Sequence, residues 1–117
     1  MALRDLTGAV DFSVLEAMTD KDAGIMEEVL GLFVHQAELW AQMLDARQDG
    51  WRDAVHTLRG AAGGIGAQAV AEACLAVERI DAAEAPPLLD RVRDALNAAL
   101  ADVAAYRHAL MLESLKS

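Results

Sequence analysis

The chain has 117 residues and a net charge of −9, with 10 Lys and Arg against 19 Asp and Glu. This length is typical of one domain, and 55% hydrophobic with 25% charged residues is the composition of a folded protein. A chain this acidic is a poor candidate for binding nucleic acid or an anionic membrane. The single cysteine, Cys74, excludes an internal disulfide framework and a cysteine-rich zinc site.

The sequence shows neither a targeting signal nor a membrane span. Met1–Val10 includes Arg4 and Asp5 and has no hydrophobic run of signal-peptide length. No stretch approaches the roughly 18 uninterrupted apolar residues of a membrane helix. We therefore expect a cytoplasmic protein with no membrane association, forming a single domain over residues 1–117 with its core at about 11–115.

The first half of the chain is predicted to be helical, because alanine is abundant and β-branched residues are sparse. Asp11–Ala17 is predicted to form a short first helix. Thr19, with Asp22 three residues later, resembles a capping box and predicts a second helix that runs to about Arg47. Two adjoining apolar stripes on that helix predict packing partners on two sides: Ile25, Val29, Leu32, Leu39 and Met43 form one, and Met26, Leu30, Phe33, Ala37, Trp40 and Leu44 form the other.

Three further helices are predicted after a break at Gln48-Asp49-Gly50. The first of these begins near Trp51 and ends at Gly64 and Gly66, and the second runs over about Ala67–Ala83. The third begins at Pro86-Pro87, since proline is tolerated in a first helical turn. Helices of these lengths with short connections predict an all-α fold. We expect an antiparallel four-helix bundle with a short extra N-terminal helix.

The most informative segment surrounds His56 in the third predicted helix. On a helical wheel at about 100° per residue, His56 points away from the apolar stripe and therefore outward. Glycine inside a helix costs about 1 kcal/mol relative to alanine, and folding alone does not require Gly60 and Gly63 on this exposed face. They predict a bare surface on which another protein can approach the imidazole, where Arg59 is placed to pair with an anion. Within about 60° of His56 on this wheel lie Arg52, Asp53, Arg59, Gly60 and Gly63.

The segment His56-Thr57-Leu58-Arg59-Gly60, with Gly66 six positions further on, resembles the motif of histidine-containing phosphotransfer (Hpt) domains. That motif is His-x-Leu-Lys-Gly, followed by small residues and a glycine. The resemblance continues at Cys74-Leu75-Ala76-Val77-Glu78, similar to the family's Cys-x-x-Leu-Glu ending, and includes Phe33 and Ala54-Val55. It covers the chain from about Asp11 to Tyr106.

This resemblance implies a phosphoryl carrier of a two-component phosphorelay, not a true enzyme. His56 would accept a phosphoryl group from a receiver-domain aspartate, or from a sensor or hybrid kinase, and pass it to another receiver. Arg59 stands where the family has lysine and would offset phosphoryl charge. The resemblance implies a monomer without cofactor or metal, because the Mg²⁺ of the transfer belongs to the partner's receiver pocket. Gly60 would give the partner access to His56. The other residues expected to contact the partner are Arg52, Asp53, Gly63 and Gly64.

Two residues depart from the family pattern. Arg59 keeps the charge of the usual lysine, and we expect this exchange to be tolerated. Glu78 stands where many relatives have glutamine: if it reaches His56 it can hold the Nδ1 proton, but its charge would repel a phosphoryl group. His35 and His108 lack comparable surroundings and are expected to be ordinary surface residues, and Cys74 a core residue.

Two other functions remain open at this stage. The chain could be a non-catalytic helical adaptor that binds or sequesters a receiver domain. It could also be a purely structural bundle in a larger assembly, which would not bind receivers. The adaptor hypothesis predicts that a His56→Gln variant still binds the receiver and still supports signalling.

Overall fold

A computed structural model describes residues 6–116, a range that contains helices and turns but no strand. Arg4 and Asp5 lie outside the described residues. The predicted all-α architecture is confirmed, with a short N-terminal helix ahead of four longer ones. The helices are α1 (Phe12–Thr19), α2 (Ala23–Ala41), α3 (Trp51–Ile65), α4 (Gln68–Glu78) and α5 (Ala85–Ser114), with a 3₁₀ turn at Ala82–Glu84 before α5.

The four longer helices form a bundle in which α3 packs against α2 and α4, and α5 packs against the same two helices. Two contacts at helix ends establish antiparallel pairs. Arg107 near the end of α5 binds Glu27 near the start of α2, with Nε 2.9 Å from Oε1. Arg52 at the start of α3 binds the backbone at the end of α4. The short α1 packs across α2 and α3.

The start of α2 differs from the prediction. Thr19 is the last residue of α1, where its hydroxyl donates to the carbonyl oxygen of Leu15 at 2.8 Å. Asp20 and Lys21 follow with φ of 52° and 60°, which breaks the helix. The N-cap of α2 is Asp22, whose carboxylate accepts from the Ile25 amide at 3.0 Å. The predicted capping box beginning at Thr19 is therefore wrong.

Two helix ends also come earlier than predicted. α2 ends at Ala41 rather than about Arg47. Turns follow, in which the Asp45 carboxylate binds the amide and guanidinium of Arg47. α4 ends at Glu78 rather than Ala83, and Arg52 donates to the carbonyl oxygens of Glu78 and of Ile80, two residues beyond this end. The start of α5 is as predicted, with Pro86 and Pro87 in its first turn.

Only one of the two apolar stripes on α2 faces the core. The stripe containing Met26, Leu30 and Phe33 is buried, whereas Leu32 and Leu39 of the other are 65% and 55% exposed. The expected packing of α2 on two sides is confirmed, since α2 contacts both α3 and α5, but the second stripe is not fully covered by these contacts. α2 therefore presents an exposed apolar stripe, formed by Ile25, Leu32 and Leu39.

A buried carboxylate on α5 anchors the segment ahead of α1. Asp102 is fully buried and accepts hydrogen bonds from the amide and hydroxyl of Thr7, at 2.8 and 2.9 Å. It also accepts from the buried amide of Val10 at 3.3 Å. Since a buried carboxylate is costly unless it is hydrogen-bonded, these donors are what make Asp102 compatible with the core.

Replacing Asp102 by alanine should lower the free energy of unfolding by about 2–3 kcal/mol, because charge-assisted hydrogen bonds are lost and the Val10 amide is left unpaired. Denaturant unfolding measures this change. Asp94→Ala, at an exposed position of the same helix, is the control and should change stability by less than about 0.5 kcal/mol. Equal effects of the two substitutions would contradict the anchoring role.

The start of α1 is fixed by close contacts with Gly66, which follows α3, and with α5. Gly66 ends α3 with a φ of 85°, and its carbonyl oxygen accepts from the Asp11 amide at 2.9 Å. Phe12 stacks on Tyr106 with ring centroids 4.0 Å apart. Burial, together with the hydrogen bond that Tyr106 donates to Glu16, raises the pKa of this phenol to about 12. These contacts hold α1 against the end of α3.

Candidate functional site

His56 lies on the outer face of α3. The predicted core stripe of this helix, which includes Val55 and Leu58, is buried, and the His56 side chain is 72% exposed. The amphipathic pattern of α3 thus forces the imidazole outward, because the buried residues of this helix lie on the opposite face. The other two histidines, His35 and His108, are also exposed.

Glu78, at the end of α4, contacts the imidazole. Its Oε1 lies 2.9 Å from Nδ1 of His56. A carboxylate can only accept a hydrogen bond, so a neutral His56 ring carries its proton on Nδ1. The lone pair of the neutral ring is then on Nε2.

The same carboxylate also binds Arg59. The Arg59 Nε donates to Oε1 at 3.1 Å and lies 3.1 Å from Oε2. Burial acts to raise the pKa of the Glu78 carboxyl, but the hydrogen bonds from His56 and Arg59 and the charge of Arg59 outweigh it, so the pKa lies below its ordinary value. Glu78 is therefore ionised at neutral pH.

Arg52 connects the start of α3 to the end of α4. Its guanidinium donates to the carbonyl oxygens of Glu78 and Ile80, at 2.8 and 2.6 Å, and lies 4.3 Å from the ring centroid of Trp51. The Glu78 carbonyl, at the last residue of α4, has no partner within the helix, so Arg52 caps α4 from outside. Arg52 is exposed, as expected of a partner-binding residue, but this intramolecular capping was not predicted.

The glycines near His56 leave a bare surface. A Cβ atom added to Gly60, Gly63 or Gly64 would meet no other atom within 4 Å. Asp53, one turn before His56 on the same face, is exposed. The fold therefore leaves room for side chains at these glycine positions, and their absence is not explained by packing.

The remaining sequence features are structural. Cys74 is buried, and burial, reinforced by the nearby Glu78 charge, raises the pKa of its thiol to about 11. Within residues 6–116, no cluster of three or more His, Cys, Asp or Glu side chains is arranged to hold a metal ion. None of the helices in the described part is both long and apolar enough to cross a membrane.

The bundle therefore presents an exposed histidine beside an arginine and a bare helix surface. Comparison with known proteins places the chain in a family. The model of the Hpt domain family matches residues 14–105. The chain is 51% identical to the histidine phosphotransferase ShpA from Caulobacter crescentus, over 92% of this chain and 99% of that one, with a TM-score of 0.80. No curated protein matches the chain.

The chain belongs to the Hpt domain family. Its role is phosphotransfer in a two-component relay, and members of this family act as phosphoryl carriers together with kinases and receiver domains.

Proposed function

We propose that His56 carries the phosphoryl group on Nε2. The observation that supports this most strongly is the hydrogen bond between Nδ1 and Glu78, because it leaves the Nε2 lone pair available on an exposed ring. The reaction needs a nucleophilic nitrogen that a partner's phosphorus can reach. Cys74 offers no comparable nucleophile, since it is buried.

The transfer is an in-line displacement at phosphorus. The Nε2 lone pair attacks the phosphorus of an aspartyl phosphate on a receiver, the N–P bond forms, and the P–O bond to the aspartyl carboxylate breaks. The aspartyl oxygen keeps the electron pair. The imidazole becomes cationic during the attack, and the ionised Glu78 stabilises it through the Nδ1 proton. The reverse reaction delivers the phosphoryl group to the next receiver.

The surroundings of His56 suit a bulky protein donor. Arg59 supplies positive charge for the phosphoryl oxygens, and Gly60, Gly63 and Gly64 leave the approach open. We propose that Arg52 and Asp53 lie within the contact surface. This chain would supply no metal and no cofactor, since the receiver's acidic pocket would hold the Mg²⁺.

The partners we propose are response-regulator receiver domains and a sensor or hybrid histidine kinase. The exposed apolar stripe of α2 would add contact area to the polar surface around His56. We further propose that the protein acts as a cytoplasmic monomer that binds neither nucleic acid nor membranes, in keeping with its net charge of −9.

The test is a transfer assay with a panel of purified receiver domains labelled on aspartate by acetyl phosphate. We expect label to move from at least one receiver to this chain and to become acid-labile and alkali-stable. The labelled chain should then pass the group to a second receiver. If the folded chain bound a receiver but label stayed on every receiver, the adaptor hypothesis would replace this proposal.

The Gly63→Leu variant tests whether a receiver domain needs the bare surface to reach His56, while a small phosphoryl donor does not. A helical side chain leans toward the helix N-terminus, so the new side chain would cover the surface over Gly60. We expect transfer from a receiver to slow at least about tenfold, equivalent to about 1.4 kcal/mol, while phosphorylation by phosphoramidate is retained. Helicity should be preserved, because leucine is a better helix former than glycine.

The matched control is Gly63→Ala, which adds only a methyl group in open space. It should raise the free energy of unfolding by about 0.5–1 kcal/mol. It should slow phosphoryl transfer from the receiver much less than Gly63→Leu does. Unchanged receiver transfer in Gly63→Leu would show that this face is not the docking surface.

A further inference from the structure

A single carboxylate group holds both functional side chains of the site. Glu78 accepts from His56 Nδ1 at 2.9 Å and from Arg59 Nε at 3.1 Å. Its side chain is only 16% exposed, compared with 72% for His56. Glu78 therefore lies beneath the more exposed His56 and Arg59, and moving its carboxylate would disturb both of these side chains.

Arg59 has two distinct hydrogen-bonding edges, and Glu78 uses only one. The Nε atom contacts the carboxylate, while Nη1 and Nη2 make no hydrogen bond within residues 6–116. The Arg59 side chain is 38% exposed. The guanidinium is thus held from one side, with two nitrogens left to donate to an anion.

We propose that Glu78 is a positioning residue that acts on His56 and Arg59 as a coupled unit. It keeps the proton on Nδ1 and holds Arg59 by Nε, so that the Nη nitrogens are available to the phosphoryl group on Nε2. This inference rests on the proposed role of His56. It assigns Arg59 a requirement for a guanidinium, which goes beyond the expectation that arginine is tolerated in place of the family's lysine.

Charge balance explains how a carboxylate is compatible with a nearby phosphoryl group. Glu78 and Arg59 together are neutral, so the phosphoryl group meets a neutralised pair with free N–H donors. A lysine has three donors, but all of them are on one nitrogen. To serve both anions it would have to hold them within hydrogen-bond distance of that single atom, so an ammonium held close to Glu78 is drawn away from the phosphoryl group.

Arg52 fixes the backbone from which Glu78 projects. It donates to the carbonyl oxygen of Glu78 itself at 2.8 Å and to that of Ile80 at 2.6 Å. These two bonds oppose fraying of the last turn of α4, where Glu78 is the final helical residue. Arg52 is therefore a second positioning residue, which acts through Glu78.

A double-mutant cycle tests the coupling. Arg59→Lys should slow phosphorylation of His56 by phosphoramidate, because the ammonium group is captured by Glu78. Adding Glu78→Gln releases the ammonium and keeps an oxygen that accepts from Nδ1. The double variant should therefore react at least about fivefold faster than the product of the two single effects predicts, equivalent to about 1 kcal/mol of coupling.

Nitrogen-15 NMR of His56 gives a second readout that does not depend on phosphate. At a pH where the ring is neutral, the wild-type protein should carry the proton on Nδ1. In Glu78→Leu the ring is free to carry it on Nε2, so the two nitrogen shifts should move in opposite directions. Arg79→Lys, at an exposed position next to Glu78, is the control and should change neither rate nor shifts.

The possible results separate this inference from the proposed function. If the wild-type chain accepts phosphate but the single effects simply multiply and the tautomer is unmoved in Glu78→Leu, the coupling is wrong and the carrier role stands. If the wild-type chain accepts no phosphate, the carrier role fails, and the NMR result alone decides whether Glu78 sets the tautomer.

Discussion

Replacing His56 by glutamine should abolish acid-labile phosphate on this chain while leaving the fold intact. The imidazole is 72% exposed, and within residues 6–116 its side chain is hydrogen-bonded to Glu78 alone, so its loss should change the free energy of unfolding by less than about 0.5 kcal/mol. Glutamine has no nitrogen lone pair able to attack phosphorus. Transfer of label from a labelled receiver should fall below detection. Circular dichroism and thermal unfolding of the same samples check that the fold is intact.

His35→Gln is the matched control, since it removes another exposed histidine that lies on α2. It should accept phosphate at the wild-type rate. Retained acid-labile phosphate in His56→Gln would contradict the assignment of the acceptor. A His56→Gln variant that still binds the receiver and still supports signalling would favour the adaptor hypothesis.

Replacing Gly66 by alanine should be the most destabilising small substitution near the site. A residue with a side chain at the observed φ of 85° costs about 1–2 kcal/mol. The new Cβ would also collide with the Asp11 carbonyl oxygen and weaken the hydrogen bond between the Asp11 amide and Gly66. We expect a loss of about 2–4 kcal/mol, or a fall of roughly 10 °C in Tm.

Gly64→Ala provides the control on the same helix, because its Cβ would meet nothing within 4 Å. It should keep or raise stability by up to about 1 kcal/mol, as expected when alanine replaces glycine in a helix. If both variants unfolded at the same denaturant concentration, α1 would not depend on close contact with Gly66.

The sequence predicts the position of His56 well, because the signal is local. The buried residues of α3 form one stripe on the face opposite the imidazole, so a helical wheel is sufficient to place the ring outside. Gly60 and Gly63 fall on the same face for the same reason, and the open space above them agrees with the argument that packing does not require them.

Local patterns were insufficient for α2 because two apolar stripes adjoin on it. Periodicity alone does not say which stripe faces the bundle, and the structure buries Leu30 while exposing Leu32 and Leu39. Capping shows a similar ambiguity. Thr19 and Asp22 both have side chains suited to an N-cap, and the two left-handed residues between them decide that only Asp22 begins the helix.

Contacts between distant parts of the chain were not predictable from spacing. Asp102 appears on a helical pattern as an ordinary acidic residue, yet it binds Thr7, which is 95 positions away. Arg52 and Glu78 are 26 positions apart and meet only because α3 and α4 are antiparallel neighbours. The sequence indicated Glu78 as a residue that could contact His56, and the structure shows that it binds both His56 and Arg59.

Site mapping of the phosphate tests the central claim most directly. The chain has three histidines, so the protein is treated with phosphoramidate, digested under alkaline conditions and analysed by tandem mass spectrometry. We expect phosphate on His56, with His35 and His108 unmodified in the same sample. Phosphate on either of those residues with His56 bare, or a folded sample that neither phosphoramidate nor any receiver labels, would contradict this claim.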